Sequence, residues 1–323
     1  MRVLVTGGAG YIGGVVTAML VEEGHTVTVL DDLSTGHADA VHPEARFVQG
    51  TVRERAADVL REGFDAVLHF AAKSVVSESV AHPGLYWSGN VGTSLALLEA
   101  MRATGTERLV FSSTAAVYGE PESVPITEDA PVRPTNPYGA TKAAIDAALT
   151  EHARMHGIAA VSLRYFNVAG AHRGLGERHT VETHLIPNVL KVARGERESV
   201  SVFGEDYPTP DGTCVRDYIH VADLARAHLL ALGRARPGRH EVLNLGNGAG
   251  FSVREVVEVC REVTGHAIPA VASPRRPGDP AVLVASSDRA GALLGWRPER
   301  SSLRDIVADA WAFHRDRTGA AAE

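Results

Sequence analysis

Cysteine is nearly absent from this chain. Cys214 and Cys260 stand far apart in no ligand-type spacing. Neither a disulfide framework nor a cysteine-bound zinc is expected, and a reducing, cytoplasmic setting fits. Lysine is scarce in a different way. Only Lys73, Lys142 and Lys191 occur among 32 basic residues. Arginine carries the bulk surface charge, so a lysine that remains marks a place where an ammonium is needed. Basic charge is not in excess either: 32 basic against 39 acidic residues give a net −7. Nucleic-acid binding through a basic surface is therefore not expected. No apolar run reaches the ~18–20 residues of a membrane span. The opening Met1-Arg2-Val3-Leu4-Val5 is too short an apolar run for a signal peptide. No membrane association is expected. The fifteen histidines form no H-E-x-x-H or similar helical ligand set, so no metal is expected. There is no internal repeat.

What is present is an ordinary globular composition, 45% apolar and 22% charged over 323 residues, a length that suggests about two domains. Short β-branched runs alternate with longer helical patterns. Val3–Val5, Val27–Leu30, Ala66–Phe70, Leu109–Ser112 and Val161–Tyr165 read as strands, and Gly13–Glu23 as the first helix. Strands separated by helices imply right-handed crossovers and a parallel sheet. Strands apolar throughout imply burial on both faces. The expected fold is α/β, a doubly wound parallel sheet with a smaller, discontinuous α/β part. After Val168 the rhythm breaks. Ala169–Thr183 reads as loop, Leu224–Leu232 as a helix and Val242–Leu245 as a strand, the last two returning to the first part. The tail, Thr318–Glu323, reads as frayed.

Gly7, Gly10 and Gly13 give a G-x-x-G-x-x-G spacing directly after the first strand. Glycines let the backbone turn tightly and approach a pyrophosphate, which the N–H groups and dipole of the following helix favour. Asp31 ends the second strand about twenty residues on, with Asp32 beside it. An acid there accepts both ribose hydroxyls and repels a 2′-phosphate. The cofactor this points to is NAD.

Tyr138-Gly-Ala-Thr-Lys142 is the most informative stretch. Asn136 suits a helix N-cap and Pro137 a first turn. Tyr138 and Lys142 then share a face. A phenol near pKa ~10 is a poor base at neutral pH. A nearby ammonium and a cationic nicotinamide are expected to lower it. Upstream, Ser112, Ser113 and Thr114 end a strand. On chemistry alone any of the three hydroxyls could hold a substrate alcohol against that base.

Together these motifs resemble an extended short-chain dehydrogenase/reductase and, within that family, the 4-epimerases of UDP-hexoses. The stretches that carry the resemblance are His69-Phe-Ala-Ala-Lys-Ser74, Phe111 to Gly119, Asn136 to Lys142, Leu163-Arg-Tyr-Phe-Asn-Val-Ala-Gly170, Phe203 to His220, Pro274 to Asp279 and Leu294-Gly-Trp296. The match runs to about residue 315. It implies an NAD-binding Rossmann domain over 1–168, with a return of 217–246, and a UDP-sugar-binding domain over 169–323. It implies reversible inversion at C4 through a 4-keto sugar, and a homodimer. By resemblance, Tyr138 is the base, Lys142 its charged partner and Thr114 the hydroxyl on the sugar oxygen. The cofactor would touch Gly7, Gly10, Tyr11, Ile12, Gly13, Asp31, Asp32, Thr51, Val52, Phe70, Ala71, Ala72, Asn90, Tyr138, Lys142 and Phe166. Asn167 and Leu185 would hold the sugar nucleotide, Phe203 the uracil, Arg216 and Arg276 the diphosphate, and Asp279 the uridine ribose. Four positions depart from the family's common pattern: Thr51, Ser74, Gly89 and Leu283, the last at a position that limits the substituent tolerated at sugar C2. Ala115 and Ala116 fall where related dehydratases carry an acid pair. Two alanines cannot shuttle protons for water elimination.

Overall fold

The computed structural model describes every residue except Pro277 and Ala321–Glu323. Seven strands form one sheet. From edge to edge they run His240–Leu245, Ala159–Tyr165, Arg108–Thr114, Ala66–His69, Arg2–Thr6, Thr26–Asp31 and Arg46–Gln49. Every pairing in it is parallel. Successive side chains point to opposite faces. Val3 and Val5 meet Val15, Val16, Leu20 and Leu224 on one side. Leu4 meets Val52, Val59, Leu97 and Met101 on the other. Helices Tyr11–Glu22 and Val221–Arg234 cover the first face. Helices Val52–Leu60, Thr93–Thr104 and Pro137–His156 cover the second. Two covered faces are why the strands read as unbroken apolar runs.

Of the stretch 217–246, the part from Val221 onward packs against the large sheet. Helix Val221–Arg234 packs on the sheet, and strand His240–Leu245 pairs with Ala159–Tyr165 along its length. The strand before them, Val215–His220, lies outside the sheet. It pairs with Asn167–Ala169, Gly250–Ser252 and Val282–Leu283. Beside it is a separate core built from Ile186, Val189, Leu190, Val256, Cys260, Ile306 and Val307.

Three local expectations are corrected. The first helix starts at Tyr11, not Gly13, with Gly10 as its N-cap. Gly13 lies inside the first turn, where a Cβ would clash with the Gly7 carbonyl oxygen. The stretch read as loop after Val168 contains a small hairpin, Ala171–His172 against Leu175–Gly176. Arg173 and Gly174 make its tip, both with positive φ (51° and 75°), as a two-residue hairpin turn requires. The last helix runs Leu303–Ala320. Thr318–Ala320 is therefore helical, and the rest of the tail lies outside the described residues.

Gly13→Ala forces a backbone clash, so it is expected to cost about 1–3 kcal/mol of stability. Gly233 in helix Val221–Arg234 has open space around its Cβ direction, so Gly233→Ala is expected to be neutral or slightly stabilising. Urea melts of the two variants check this. Equal midpoints would show that the glycine turn is not tightly closed.

Candidate active site

Most of the expected cofactor residues gather along the carboxyl edge of the sheet, where ligands of such sheets bind. Gly7 follows Arg2–Thr6, Asp31 ends Thr26–Asp31, Thr51 follows Arg46–Gln49 and Phe70 follows Ala66–His69. The strand order reverses at Arg2–Thr6, which lies between Ala66–His69 and Thr26–Asp31. Gly7 sits at that switch point with φ +76°, and a Cβ on it would meet the Ala71 nitrogen at 2.6 Å. The glycines therefore hold open a cradle that no larger residue could share. Asp31 accepts from the Ala9 and Leu33 backbone N–H groups at 3.0 and 2.9 Å. Burial raises its carboxyl pKa, and those two donors oppose the rise. Asp32 accepts from the Ser34 N–H.

The remaining cofactor residues divide by orientation. The Tyr11 hydroxyl donates to the Gly170 carbonyl at 2.6 Å. Ile12 packs on the core, Val52 is buried in it, and Phe166 turns into a satellite cluster with Val117, Tyr118 and Ile126. Ala71 and Ala72 are half-buried at the edge. Thr51 caps helix Val52–Leu60 by accepting from Glu54 N–H. Asn90 is fully buried in a wide π-type turn, Trp87–Gly92. Its amide is committed to both backbone groups of Lys73 (2.8 and 3.0 Å) and to Thr141 (3.2 Å). It fastens the 71–74 loop to helix Pro137–His156.

That helix begins as its sequence suggests. Asn136 accepts from Gly139 N–H at 2.9 Å, and Pro137 occupies the first turn. Tyr138, Lys142 and Asp146 follow at four-residue spacing on the face over strand Arg108–Thr114. The three candidate hydroxyls there have three different roles. Thr114 hydrogen-bonds the Tyr138 phenol. Ser112 offers its carbonyl to Lys142 Nζ at 2.8 Å and its hydroxyl to Tyr165. Ser113 donates to Asp146 Oδ2 at 3.2 Å. Lys142 is only 2% exposed. Its Nζ lies 4.7 Å from the Phe111 ring centre and 5.9 Å from that of Tyr138. Arg164 donates to Asp146 Oδ2 from two nitrogens, at 3.0 and 2.8 Å, and to the Tyr118 hydroxyl at 3.1 Å.

Burial pushes the Lys142 ammonium down to about 8, and the Asp146 carboxylate opposes the shift. Burial raises the Tyr138 phenol, and the Thr114 hydrogen bond works against it. The expected lowering of this phenol is therefore not met by the protein's own groups, because burial outweighs them. Lys142 stands beside the ring but directs a proton to a carbonyl. The remaining depression has to come from a positive charge brought by a bound cofactor.

The residues expected to hold substrate form a second patch. Arg276 lies 4.0 Å over the Phe203 ring, Arg216 pairs with Asp279, and Asp279 N–H donates to the Arg276 carbonyl. Arg216 is in register with Leu283, and Tyr218 with Asn167. Leu283 packs in the same cluster as Ala115 and Phe166. Contacts thus run from Thr114 and its neighbour Ala115, through Leu283, to Arg216, Asp279, Arg276 and Phe203. Leu185 opens helix Leu185–Ala193.

Sequence reading missed Asp146, Tyr165 and Ser79, whose hydroxyl accepts from Tyr138 N–H at 3.2 Å. Of these only Asp146 carried a signal, the same four-residue step that links Tyr138 to Lys142. His69 is held between Thr6 and Ser94 and kept neutral by burial, its pKa lowered to about 3. His179 and His184 converge with Glu177 and Glu182.

Lysine depressed from 10.5 to about 8 leaves the unfolded chain holding more protons between those values. The stability Lys142 contributes is therefore lowest below that window and rises with pH through it. Relative to Lys142→Met, the dinucleotide-free wild type is expected to gain about 2–3 kcal/mol between pH 8 and 10. Denaturant melts across that range check it, and a constant difference would show that the amine is not desolvated.

Residues 3–246 match the model of the NAD dependent epimerase/dehydratase family. A UDP-glucose 4-epimerase of Corynebacterium glutamicum is 60% identical over 97% of this chain and 95% of its own. One from Streptomyces lividans is 60% identical over 97% and 96%. The crystal structure of a UDP-glucose-4-epimerase from Stenotrophomonas maltophila, with bound NAD and formylated UDP-arabinopyranose, superposes with a TM-score of 0.95 at 41% identity over 99% of both chains.

Proposed function

The chain belongs to the NAD dependent epimerase/dehydratase family, and from that premise we propose that it reversibly inverts C4 of a UDP-hexose, interconverting UDP-glucose and UDP-galactose. One observation carries the reading. Tyr138, bonded to Thr114 and flanked by buried Lys142, stands on the sheet edge that also holds the glycine cradle. The cradle fits a dinucleotide: Gly7 and Gly13 leave space that a Cβ would fill, and Asp31 ends the next strand. When bound, NAD supplies the acceptor that takes hydride from C4 and returns it to the other face of the 4-keto sugar.

The chain's own residues do the rest. Tyr138 as phenolate removes the proton from the 4-hydroxyl and gives it back. Thr114 holds the same oxygen. Lys142 keeps a positive charge near the ring that favours the phenolate. Arg216 and Arg276 hold the diphosphate, Asp279 the uridine ribose and Phe203 the uracil, while Asn167 and Leu185 line the sugar nucleotide. Guanidinium forks suit phosphate oxygens. This remote grip positions the hexose yet leaves its ring free to turn over. With no net redox, the cofactor is not consumed. Ala115 and Ala116 offer no acid or base for eliminating water.

Two parts divide this work. Residues 1–168, with the returning helix and strand, bind NAD, and most of 169–323 binds the UDP-sugar. Val80, Leu85, Trp87, Leu95 and Met155 are exposed apolar side chains on or beside the helices around Asn90. They support a homodimer formed through this side. Among the described residues no helix is long and apolar enough to cross a membrane, which is compatible with a cytoplasmic enzyme.

Purified protein is expected to convert UDP-galactose to UDP-glucose without added NAD. Tyr138→Phe is expected to lose at least ~100-fold in turnover while binding UDP as before. Near-normal turnover in that variant would refute the base assignment, and absence of conversion by wild type would refute the reaction.

A further inference from the structure

Glu177 follows the hairpin strand Leu175–Gly176, and His184 directly precedes helix Leu185–Ala193. Between them the chain folds so that Glu177, His179, Glu182 and His184 each bring one ligand atom to within 4.8 Å of the others. Glu177 Oε1 lies 2.9 Å from His179 Nδ1 and 2.7 Å from His184 Nδ1. Glu182 Oε1 lies 2.8 Å from His184 Nδ1, and its Oε2 lies 3.9 Å from His179 Nδ1. The two carboxylates are 7% and 3% exposed, whereas the imidazoles are partly open to solvent.

We propose that these four residues form a binding site for one divalent transition-metal ion, zinc by the chemistry of its donors. Hydrogen bonding leaves the convergence short of protons. Each Nδ1 carries at most one proton, yet His184 Nδ1 faces carboxylate oxygens from both glutamates. Ligands around a tetrahedral zinc stand ~3.3 Å apart when its bonds are ~2.0–2.1 Å. The four nitrogen–oxygen pairs, 2.7 to 3.9 Å, straddle that spacing, and the ligand atoms as a set lie within 4.8 Å of one another. Two neutral imidazoles, two carboxylates and a dication make a charge-balanced set, and imidazole with carboxylate suits zinc. Glu182 is also positioned in advance. Glu182 Oε1 accepts the Thr183 and His184 backbone N–H groups at 2.8 and 2.7 Å, the kind of support that orients metal ligands.

Placement gives the site a use. The cleft beside it is bordered by Gly10 and Tyr11 on one side and by Gly174 to Gly176, Arg178 and His179 on the other. The next residue, Leu185, belongs to the substrate wall. A four-coordinate ion here closes no catalytic step. It staples the hairpin to the start of helix Leu185–Ala193, between the cofactor cradle and the sugar-nucleotide site. Such a site departs from the sequence expectation of no metal, because its ligands follow a loop spacing, E-x-H-x-x-E-x-H, that a search for helical pairs passes over.

The test uses tag-free, full-length protein carrying its NAD, stripped with a chelator and titrated with ZnCl2 alone. One equivalent is expected to bind, with a raised thermal midpoint. His179→Asn/His184→Asn is expected to weaken zinc binding by at least ~100-fold and to abolish the rise. If that variant fails to fold, Glu182→Gln takes its place. CoCl2 added to wild type is expected to give the intense visible bands of a four-coordinate ion. Zinc binding unchanged by the substitutions, or a Co2+ spectrum matching the hydrated ion, overturns the proposal and leaves an ion-pair network only.

Discussion

A primary amine that is almost wholly removed from water has to be accommodated by everything around it. Lys142 meets that constraint with the Ser112 carbonyl, the face of Phe111 and, one turn on, the Asp146 carboxylate. Asp146 in turn is held by Arg164 and Ser113, and Arg164 by Tyr118. The network crosses from helix Pro137–His156 through two neighbouring strands. A buried charge of this kind tolerates no misplacement, because an unpaired partner would carry its full desolvation cost. The same network that shelters the ammonium thus fixes where the Tyr138 ring stands relative to the strand end bearing Thr114.

The two halves of the site are joined by backbone rather than by long side chains. Strand Val215–His220 carries Arg216 and Tyr218 at alternate positions, one in register with Leu283 and the other with Asn167. Asn167 continues directly from the main-sheet strand Ala159–Tyr165 through Phe166. Rotating the substrate half against the sheet would break these pairings. The proposed nucleotide grip and proton-transfer pair therefore share one rigid frame, which is what remote binding energy needs if it is to act on C4.

Much of this was legible in the residues. Glycine spacing, strand-end Asp31 and the Tyr138–Lys142 step are local patterns, and local patterns survive without knowing the fold. The return of Val242–Leu245 was legible as well, since an apolar run of that kind needs two covered faces. What escaped depends on distant contacts. No spacing shows that Asn90 would spend its amide on Lys73 and Thr141, or that burial would raise Tyr138 rather than let Lys142 lower it. Arg173-Gly174 was hidden because a hairpin of two-residue arms has too little pattern to register. Glu177, His179, Glu182 and His184 lay in one short segment, but only the folded loop points them at each other.

Strand His240–Leu245 forms one edge of the large sheet, and its partner Ala159–Tyr165 precedes it by about eighty residues of chain. During synthesis the first six strands emerge long before their seventh. Until Leu245 has cleared the ribosome, the nascent sheet presents Ala159–Tyr165 as a bare, apolar edge able to pair with another chain. Over that interval the intervening segment must stay clear of the open edge, and a chaperone has its most natural point of engagement there.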